Sequence, residues 1–292
     1  MTGGTLYVVA TPIGNLSDIT LRALEVLAAV DIIAAEDTRR SRGLLDRHGI
    51  DTPLISLHEH NEDERSAELV ARLADGASVA LVSDAGTPLI SDPGYRLVSA
   101  AHDAGLRVVP IPGASAVPAA LSVAGIATDR FVFEGFLPAR ANRRRERLEL
   151  LAREPRTLVI FEAPHRLRAT LADMRESMGA SRMVTVAREL TKHFETFYRG
   201  SLDQVIEAVE ADRAATKGEL VIVVAGAGES PVLAGDSEKV LEILGNELPP
   251  RQAARLAARL TGADARELYR RLADARSGRD DDADSGSLGG GS

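Results

Sequence analysis

Cysteine is absent from the 292-residue sequence. The chain therefore forms no disulfide and no thiolate metal site, and any nucleophile must be an oxygen or a nitrogen atom. The sequence also lacks an uninterrupted apolar run of the roughly 20 residues that a membrane-spanning helix needs. The first residues, MTGGTLYVVATPIG, lack the basic segment, apolar core and cleavage site of a signal peptide. These absences predict a cytoplasmic protein without a membrane partner.

Basic residues are fewer than acidic ones, 35 against 43, which gives a net charge of -8. This balance argues against a protein that coats nucleic acid through bulk charge. Two stretches depart from it: residues 138–156 contain seven Arg against three Glu, and residues 251–276 contain seven Arg against three acidic residues. Both are predicted to form local basic surfaces.

Short apolar runs alternate with helical patterns over the first part of the chain, which is typical of a parallel sheet covered by helices. In the second part, RMVTVAREL and FETFYRGS are separated only by TKH, which predicts an antiparallel pair in a mixed sheet. We predict two α/β domains with a cleft between them, followed by a small helical segment and a disordered tail. The predicted boundaries are 1–114, 115–227, 236–276 and 277–292.

Polar loops follow each of the first five strands: ATPIGNLSDIT, AEDTRRSR, LHEHNED, SDAGTPLISDPG and PIPGASA. Ligands of open α/β sheets collect at the carboxyl ends of the strands, so these loops predict one shared site. Neither GxxxxGK[ST] nor a GxGxxG after the first strand occurs, which disfavours ATP, GTP and NAD. The HEH segment has no third ligand at metal spacing, so no metal is predicted. Asp92, before Pro93 and Gly94, is predicted mainly to cap the following helix.

The segments VATPIGNLSDITLRA, AEDTR, SDAGTPLISDPG, PIPGASA, FEGFLP, FEAPHR and RELTKHFE, in this order, resemble the tetrapyrrole-methylase superfamily. They resemble more closely its branch that 2'-O-methylates a cytidine of bacterial 16S rRNA, the small-subunit ribosomal RNA methyltransferase I family. The resemblance extends over about residues 5 to 276. Members that build corrins carry an acidic residue after the first strand, where this chain has Asn15. This difference weakens the case for a porphyrin substrate.

The resemblance implies that S-adenosylmethionine binds in the crease between the two α/β domains. The positions that match the family's cofactor site are Asp84, Ala85, Gly86, Thr87, Ile90, Ser115, Ala116, Leu137, Ala163 and Leu220. Small residues and glycine at these positions allow close approach of a ligand to the backbone. The resemblance also implies a homodimer that acts on 16S rRNA, within the small ribosomal subunit.

Transfer of a methyl group to a ribose hydroxyl needs in-line geometry and loss of a proton. The candidate catalytic residues on loops at strand ends are Asp37, Lys192, His165 and His60. Arginine binds phosphates through paired hydrogen bonds, and the candidate RNA-binding residues are Arg39, Arg143, Arg144, Arg145 and Arg166. Two alternatives stay open: C-methylation of a tetrapyrrole, and a non-catalytic module that binds a nucleoside-like ligand.

Overall fold

The computed structural model describes residues 3–228 and 237–273. The chain divides into two compact units, Met1–Gly226 and Ala227–Ser292. The first unit contains two five-stranded sheets, and the second is helical where it is described. These features confirm the predicted fold class, whereas the boundaries proposed for individual domains remain predictions.

The first sheet is entirely parallel, with strand order 3-2-4-1-5. Its strands are β1 (Thr5–Val9), β2 (Ile32–Ala35), β3 (Leu54–Ser56), β4 (Val79–Val82) and β5 (Arg107–Ile111). Its helices are α1 (Leu21–Ala29), α2 (Thr38–Arg47), α3 (Glu62–Ala74) and α4 (Tyr95–Asp103). Successive residues of β2 alternate between two apolar clusters, one shared with α1 and α2 and the other with α3 and α4. Both faces are therefore buried, as an all-parallel sheet requires.

The second sheet is mixed, with strand order 6-7-10-8-9. Its strands are β6 (Phe131–Phe136), β7 (Thr157–Glu162), β8 (Met183–Arg188), β9 (Thr196–Ser201) and β10 (Leu220–Val224). Strand β6 is parallel to β7, and the other neighbouring pairs are antiparallel. The pairing of β8 with β9 confirms the antiparallel pair predicted from the TKH connection.

Helices cover the two faces of the second sheet unequally. They are α5 (Ala116–Ala124), α6 (Ala141–Leu151), α7 (Leu167–Met178) and α8 (Leu202–Ala211). The last three share one apolar cluster with the sheet. The opposite face packs against α5 together with Ile13, from the loop after β1, and Leu190, from the loop after β8. Ile13 thus fixes a loop of the first sheet against the second sheet, and this packing positions the site.

The second unit contains α9 (Ser237–Glu247), α10 (Pro250–Thr261) and a further helical stretch over residues 265–273. Its core includes Val240, Ala253 and Leu268. The three helices agree with the predicted helical segment. The predicted tail at 277–292 lies outside the described residues. No helix in the described parts of the chain is long and apolar enough to cross a bilayer.

Candidate functional site

A cavity of ≈ 380 Å³ opens between the loops of the first sheet and the strand ends of the second. Its lining comes from the loops after β1, β4 and β5, from the start of α5, and from β6, β7 and β10. The volume falls in the range of small-molecule sites in proteins, which is about 300–1,000 Å³. The walls are mainly apolar: Ile13, Ile90, Phe136, Phe161, Leu190, Leu220 and Val221.

The floor of this cavity depends on Gly86. The amide of Gly86 donates to the Thr11 carbonyl (3.0 Å), and the Thr11 amide donates to the Gly86 carbonyl (2.8 Å). Gly86 has φ +83°, a conformation that side-chain-bearing residues rarely adopt, and an added Cβ would lie 3.1 Å from Ile13 Cγ2. A glycine here therefore lets the loops after β1 and β4 pair beside the cavity.

Most of the predicted cofactor residues lie together. Eight of the ten line the cavity: Ala85, Gly86, Thr87, Ile90, Ser115, Ala116, Ala163 and Leu220. Asp84 instead lines a neighbouring cavity. Leu137 is buried in the core of the second sheet, and its carbonyl accepts a hydrogen bond from Arg166 (2.8 Å). Leu137 therefore belongs to the core of the second sheet and does not line the cavity.

The prediction that Asp92 caps α4 is wrong. The amides of Gly94 and Arg96 donate instead to Glu62 Oε1 on α3 (2.9 and 3.0 Å), which satisfies the start of α4. The Asp92 carboxylate is left to line the cavity. Its neighbours Leu89 and Ser91 have positive φ values of 73° and 67°. Strained backbone of this kind is concentrated at functional sites in proteins.

Three carboxylates meet beside the cavity: Glu36 at the end of β2, Asp84 after β4, and Asp92. Asp84 accepts a hydrogen bond from the Asp37 amide (2.9 Å) and pairs with Arg40 (3.0 Å). Burial and the negative charge of Glu36 raise the pKa of Asp92 to about 6, although a hydrogen bond from Ser83 opposes the shift. Burial and the charge of Asp84 also raise the pKa of Glu36. The cluster therefore favours a bound positive charge over a neutral group.

The second cavity, of ≈ 440 Å³, shares Ile13, Ala85 and Glu219 with the first. Lys192 lines it, and its ammonium group pairs with Glu189 (2.8 Å) and Glu219 (3.1 Å). Burial acts to lower the pKa of Lys192, but hydrogen bonds to these two carboxylates outweigh it and raise that pKa. Lys192 therefore remains a cation at neutral pH.

The other three candidate catalytic residues do not line either cavity. Asp37 is the N-cap of α2, and hydrogen bonds from Arg39 lower the pKa of its carboxylate. This makes Asp37 a weak base. His60 and His165 are exposed. The ring of His60 makes an edge contact with that of His58 (centroids 6.0 Å apart). Within residues 3–228 and 237–273, no three His, Asp or Glu side chains form a metal-binding group.

Helix α6 does not present all three of its predicted RNA-binding arginines. The Arg144 side chain is 6% exposed and pairs with Asp173 of α7 (2.6 Å), so its assignment to an RNA surface is corrected. Arg145 is half-exposed and also pairs with Asp173 (3.1 Å). Arg143 is exposed, and the described part of the chain provides no ion-pair partner for it.

The Arg166 side chain makes its hydrogen bonds within the protein. Its Nε donates to the buried Glu162 (2.7 Å), and Thr170 donates to the other oxygen of that carboxylate (2.5 Å). Since the guanidinium also donates to the Leu137 carbonyl, Arg166 fixes the end of β7, and its binding to RNA stays a prediction. Arg39 is 91% exposed beside Asp37 and remains available to a phosphate.

Sequence reasoning missed Phe136 and Phe161, whose rings meet edge to face (centroids 5.7 Å apart) at the cavity wall. Both rings lie on strands, β6 and β7, and the alternation of side chains along a strand is the signal that could mark one face of each as a ligand wall. Asp92 was noticed but was given the role that Glu62 performs.

Comparison with known proteins identifies the family. Residues 5–206 match the family described as Tetrapyrrole (Corrin/Porphyrin) Methylases, and residues 231–276 match the RsmI C-terminal HTH domain. A Pseudomonas aeruginosa protein named Ribosomal RNA small subunit methyltransferase I is 52% identical over 273 residues, covering 92% of this chain and 96% of that protein. The chain belongs to this family. A Xylella fastidiosa protein of the same name is 51% identical over 269 residues, with 92% and 98% covered.

Among solved structures, the uroporphyrin-III C-methyltransferase of Thermus thermophilus complexed with S-adenyl homocysteine has a TM-score of 0.53 and 18% identity. The match covers 75% of this chain and 97% of that one. At this level of identity the likeness establishes the fold. Family membership confirms the resemblance identified from the sequence segments.

Proposed function

We propose that this protein transfers a methyl group from S-adenosylmethionine to the 2'-hydroxyl of a cytidine ribose in 16S rRNA. The observation that carries the proposal is the mainly apolar cavity beside a second cavity lined by Arg40 and Lys192, in a chain of this family. The names of its relatives support methylation of small-subunit ribosomal RNA. The cytidine and its 2'-oxygen rest on the resemblance of the sequence.

The residues of the first cavity fit S-adenosylmethionine. Its apolar wall, with Phe136 and Phe161, suits an adenine ring and a methionine chain. Ser115 and Ala116 line the cavity at the start of α5, where the first amides of a helix have no partner within it and the Ser115 side chain does not cap them. These amides suit a carboxylate. Asp92 suits a cationic or hydroxyl-bearing part of the ligand.

When bound, S-adenosylmethionine supplies a methyl group made electrophilic by its sulfonium. In the reaction a bond forms between the ribose 2'-oxygen and the methyl carbon, the bond from that carbon to sulfur breaks, and the hydroxyl proton leaves to solvent. Lys192 stays protonated between Glu189 and Glu219, which balance its charge, so its role is to donate a hydrogen bond that orients the ribose hydroxyl. The walls of the cavities hold the reactants in position, which contributes much of the acceleration in such reactions.

The wider assembly is part of the same proposal. The exposed Arg143 on α6 and Arg39 on α2 contact RNA phosphates outside the reacting nucleotide. In the helical unit, Arg251, Arg255 and Arg259 are exposed at four-residue spacing along α10 and add phosphate contacts. The protein acts as a homodimer on the small ribosomal subunit.

The test is a transfer assay with methyl-labelled S-adenosylmethionine and three acceptors: small subunits that lack the modification, naked 16S rRNA, and a uroporphyrinogen-type ring. The proposal predicts label in RNA and none in the ring. Label in the ring alone would support tetrapyrrole methylation. Cofactor binding by calorimetry without transfer to any acceptor would support a non-catalytic binding module.

A further inference from the structure

The second cavity adjoins the proposed cofactor site and has additional lining groups of its own. It lies between the loop after β1, helix α2 and the loop after β8, and its lining includes Thr11, Gly14, Arg40, Gly43, Ser83 and Lys192. Because it shares Ile13, Ala85 and Glu219 with the first cavity, a molecule in each would meet at this common wall. In-line transfer between two ligands requires such a meeting.

The two cations of the second cavity are held differently. Lys192 is paired with two carboxylates, and Gly14 leaves room for it, since a Cβ at position 14 would lie 2.4 Å from Lys192 Cγ. Arg40 makes one ion pair, to Asp84, and its side chain is 70% exposed. An exposed ion pair contributes little free energy. Arg40 is therefore easily released, whereas Lys192 is fixed.

The space beside α2 is open. Gly43 lines the cavity one turn after Arg40, and a Cβ built on it meets no atom within 4 Å. Glycine inside a helix costs about 1 kcal/mol relative to alanine, so no backbone requirement of the helix accounts for glycine at this position. Gly43 is exposed, so a larger side chain at this position has room to enter the cavity without a clash in the helix.

We propose that the second cavity receives the acceptor nucleotide of the RNA, and that Arg40 leaves Asp84 to bind the phosphate next to the ribose that is methylated. This inference rests on the proposed function. A guanidinium binds a phosphate through paired, charge-assisted hydrogen bonds, which are stronger than an exposed pair with a carboxylate. Lys192 then lies on the side of the common wall, near the ribose, and Arg40 lies at the cavity mouth.

The first experiment compares Arg40→Ala with Arg47→Ala, a matched control in the same helix whose arginine is exposed and lines neither cavity. For Arg40→Ala we expect the KM for unmodified small subunits to rise about tenfold, as for loss of one charge-assisted contact. The slope of the logarithm of the subunit-binding constant against the logarithm of salt concentration should become shallower by the amount for one phosphate contact, about one unit. The Kd for S-adenosylmethionine should not rise. Arg47→Ala should leave all three quantities unchanged.

The second experiment fills the cavity through Gly43. Gly43→Ala should fold at least as well as the wild type, by thermal melting. Arg47→Phe, an equally bulky change outside both cavities, is the control that should keep its activity. Gly43→Phe should prevent methylation of small subunits while its Kd for S-adenosylmethionine stays within about twofold, a change of less than 0.5 kcal/mol.

Two results overturn the inference in an enzyme that methylates RNA: equal salt dependence for Arg40→Ala and Arg47→Ala, or normal methylation by folded Gly43→Phe. A wild-type protein that binds S-adenosylmethionine but methylates no RNA contradicts the proposed function itself, and with it the inference. The two failures are thus distinguishable.

Discussion

Replacement of Asp92 by Asn is expected to stabilise the folded protein at neutral pH. Asp92 lines the cavity, and burial together with the charges of Glu36 and Asp84 raises its pKa to about 6 from an ordinary value of 3.8. The folded state therefore binds the proton more tightly than the unfolded state does. Under this condition the free energy of unfolding falls as the pH rises from 3.8 to 6 and stays lower above 6.

The size of the effect follows from the shift. A change from 3.8 to about 6 corresponds to at most about 3 kcal/mol at 1.36 kcal/mol per pKa unit. Because the hydrogen bond from Ser83 favours the charged form, an amide replaces the carboxylate imperfectly. We therefore expect a gain of about 2 kcal/mol at pH 7 for Asp92→Asn and no gain at pH values below about 4.

Urea unfolding followed by circular dichroism, at pH 7 and at pH 4, measures both free energies. Asp84→Asn is the contrasting variant: Asn can still accept the Asp37 amide, and the exposed pair with Arg40 contributes little, so the unfolding free energy at pH 7 should change by less than about 1 kcal/mol. If Asp92→Asn is no more stable than the wild type at pH 7, or gains equally at both pH values, the electrostatic account of this cluster is wrong.

Two further predictions concern the same unit. Arg144→Ala should lose about 3 kcal/mol of unfolding free energy, because it leaves the buried Asp173 with only the half-exposed Arg145. Arg143→Ala should change the unfolding free energy by less than about 0.5 kcal/mol in the same urea titration. Equal losses for the two variants would contradict the burial of Arg144. Affinity for S-adenosylmethionine, by calorimetry, should fall as the pH is lowered from about 7 to about 5, because Asp92 takes up a proton. Affinity for the product without the sulfonium charge should fall less. An equal fall in affinity for both ligands would show that the carboxylate cluster does not interact with the sulfonium charge.

The cavity was largely predictable because its residues lie on loops at the ends of consecutive parallel strands. Topology alone brings Ala85, Gly86, Ser115 and Ala116 to the same edge. Such prediction requires only that the strands be recognised, and their apolar runs are distinct.

The orientation of the arginines was not predictable. Within the run of three arginines on α6, only the middle one faces the core, where Asp173 from a different helix neutralises it. A run of like charges gives no periodic signal that distinguishes its faces. The role of Asp92 was missed for a similar reason, since the group that caps α4 is Glu62, about thirty residues earlier in the chain. Both errors arise from contacts between residues distant in sequence.

The most direct test of the central claim is the chemical position of the transferred methyl group. Small subunits that lack the modification would be incubated with the protein and methyl-labelled S-adenosylmethionine, and their 16S rRNA digested with alkali and analysed by mass spectrometry. A 2'-O-methyl group blocks alkaline cleavage, so we predict the label in one alkali-resistant dinucleotide that begins with cytidine. Label on a base of fully cleaved nucleotides, or no label in RNA while a uroporphyrinogen-type ring is methylated, would contradict the account.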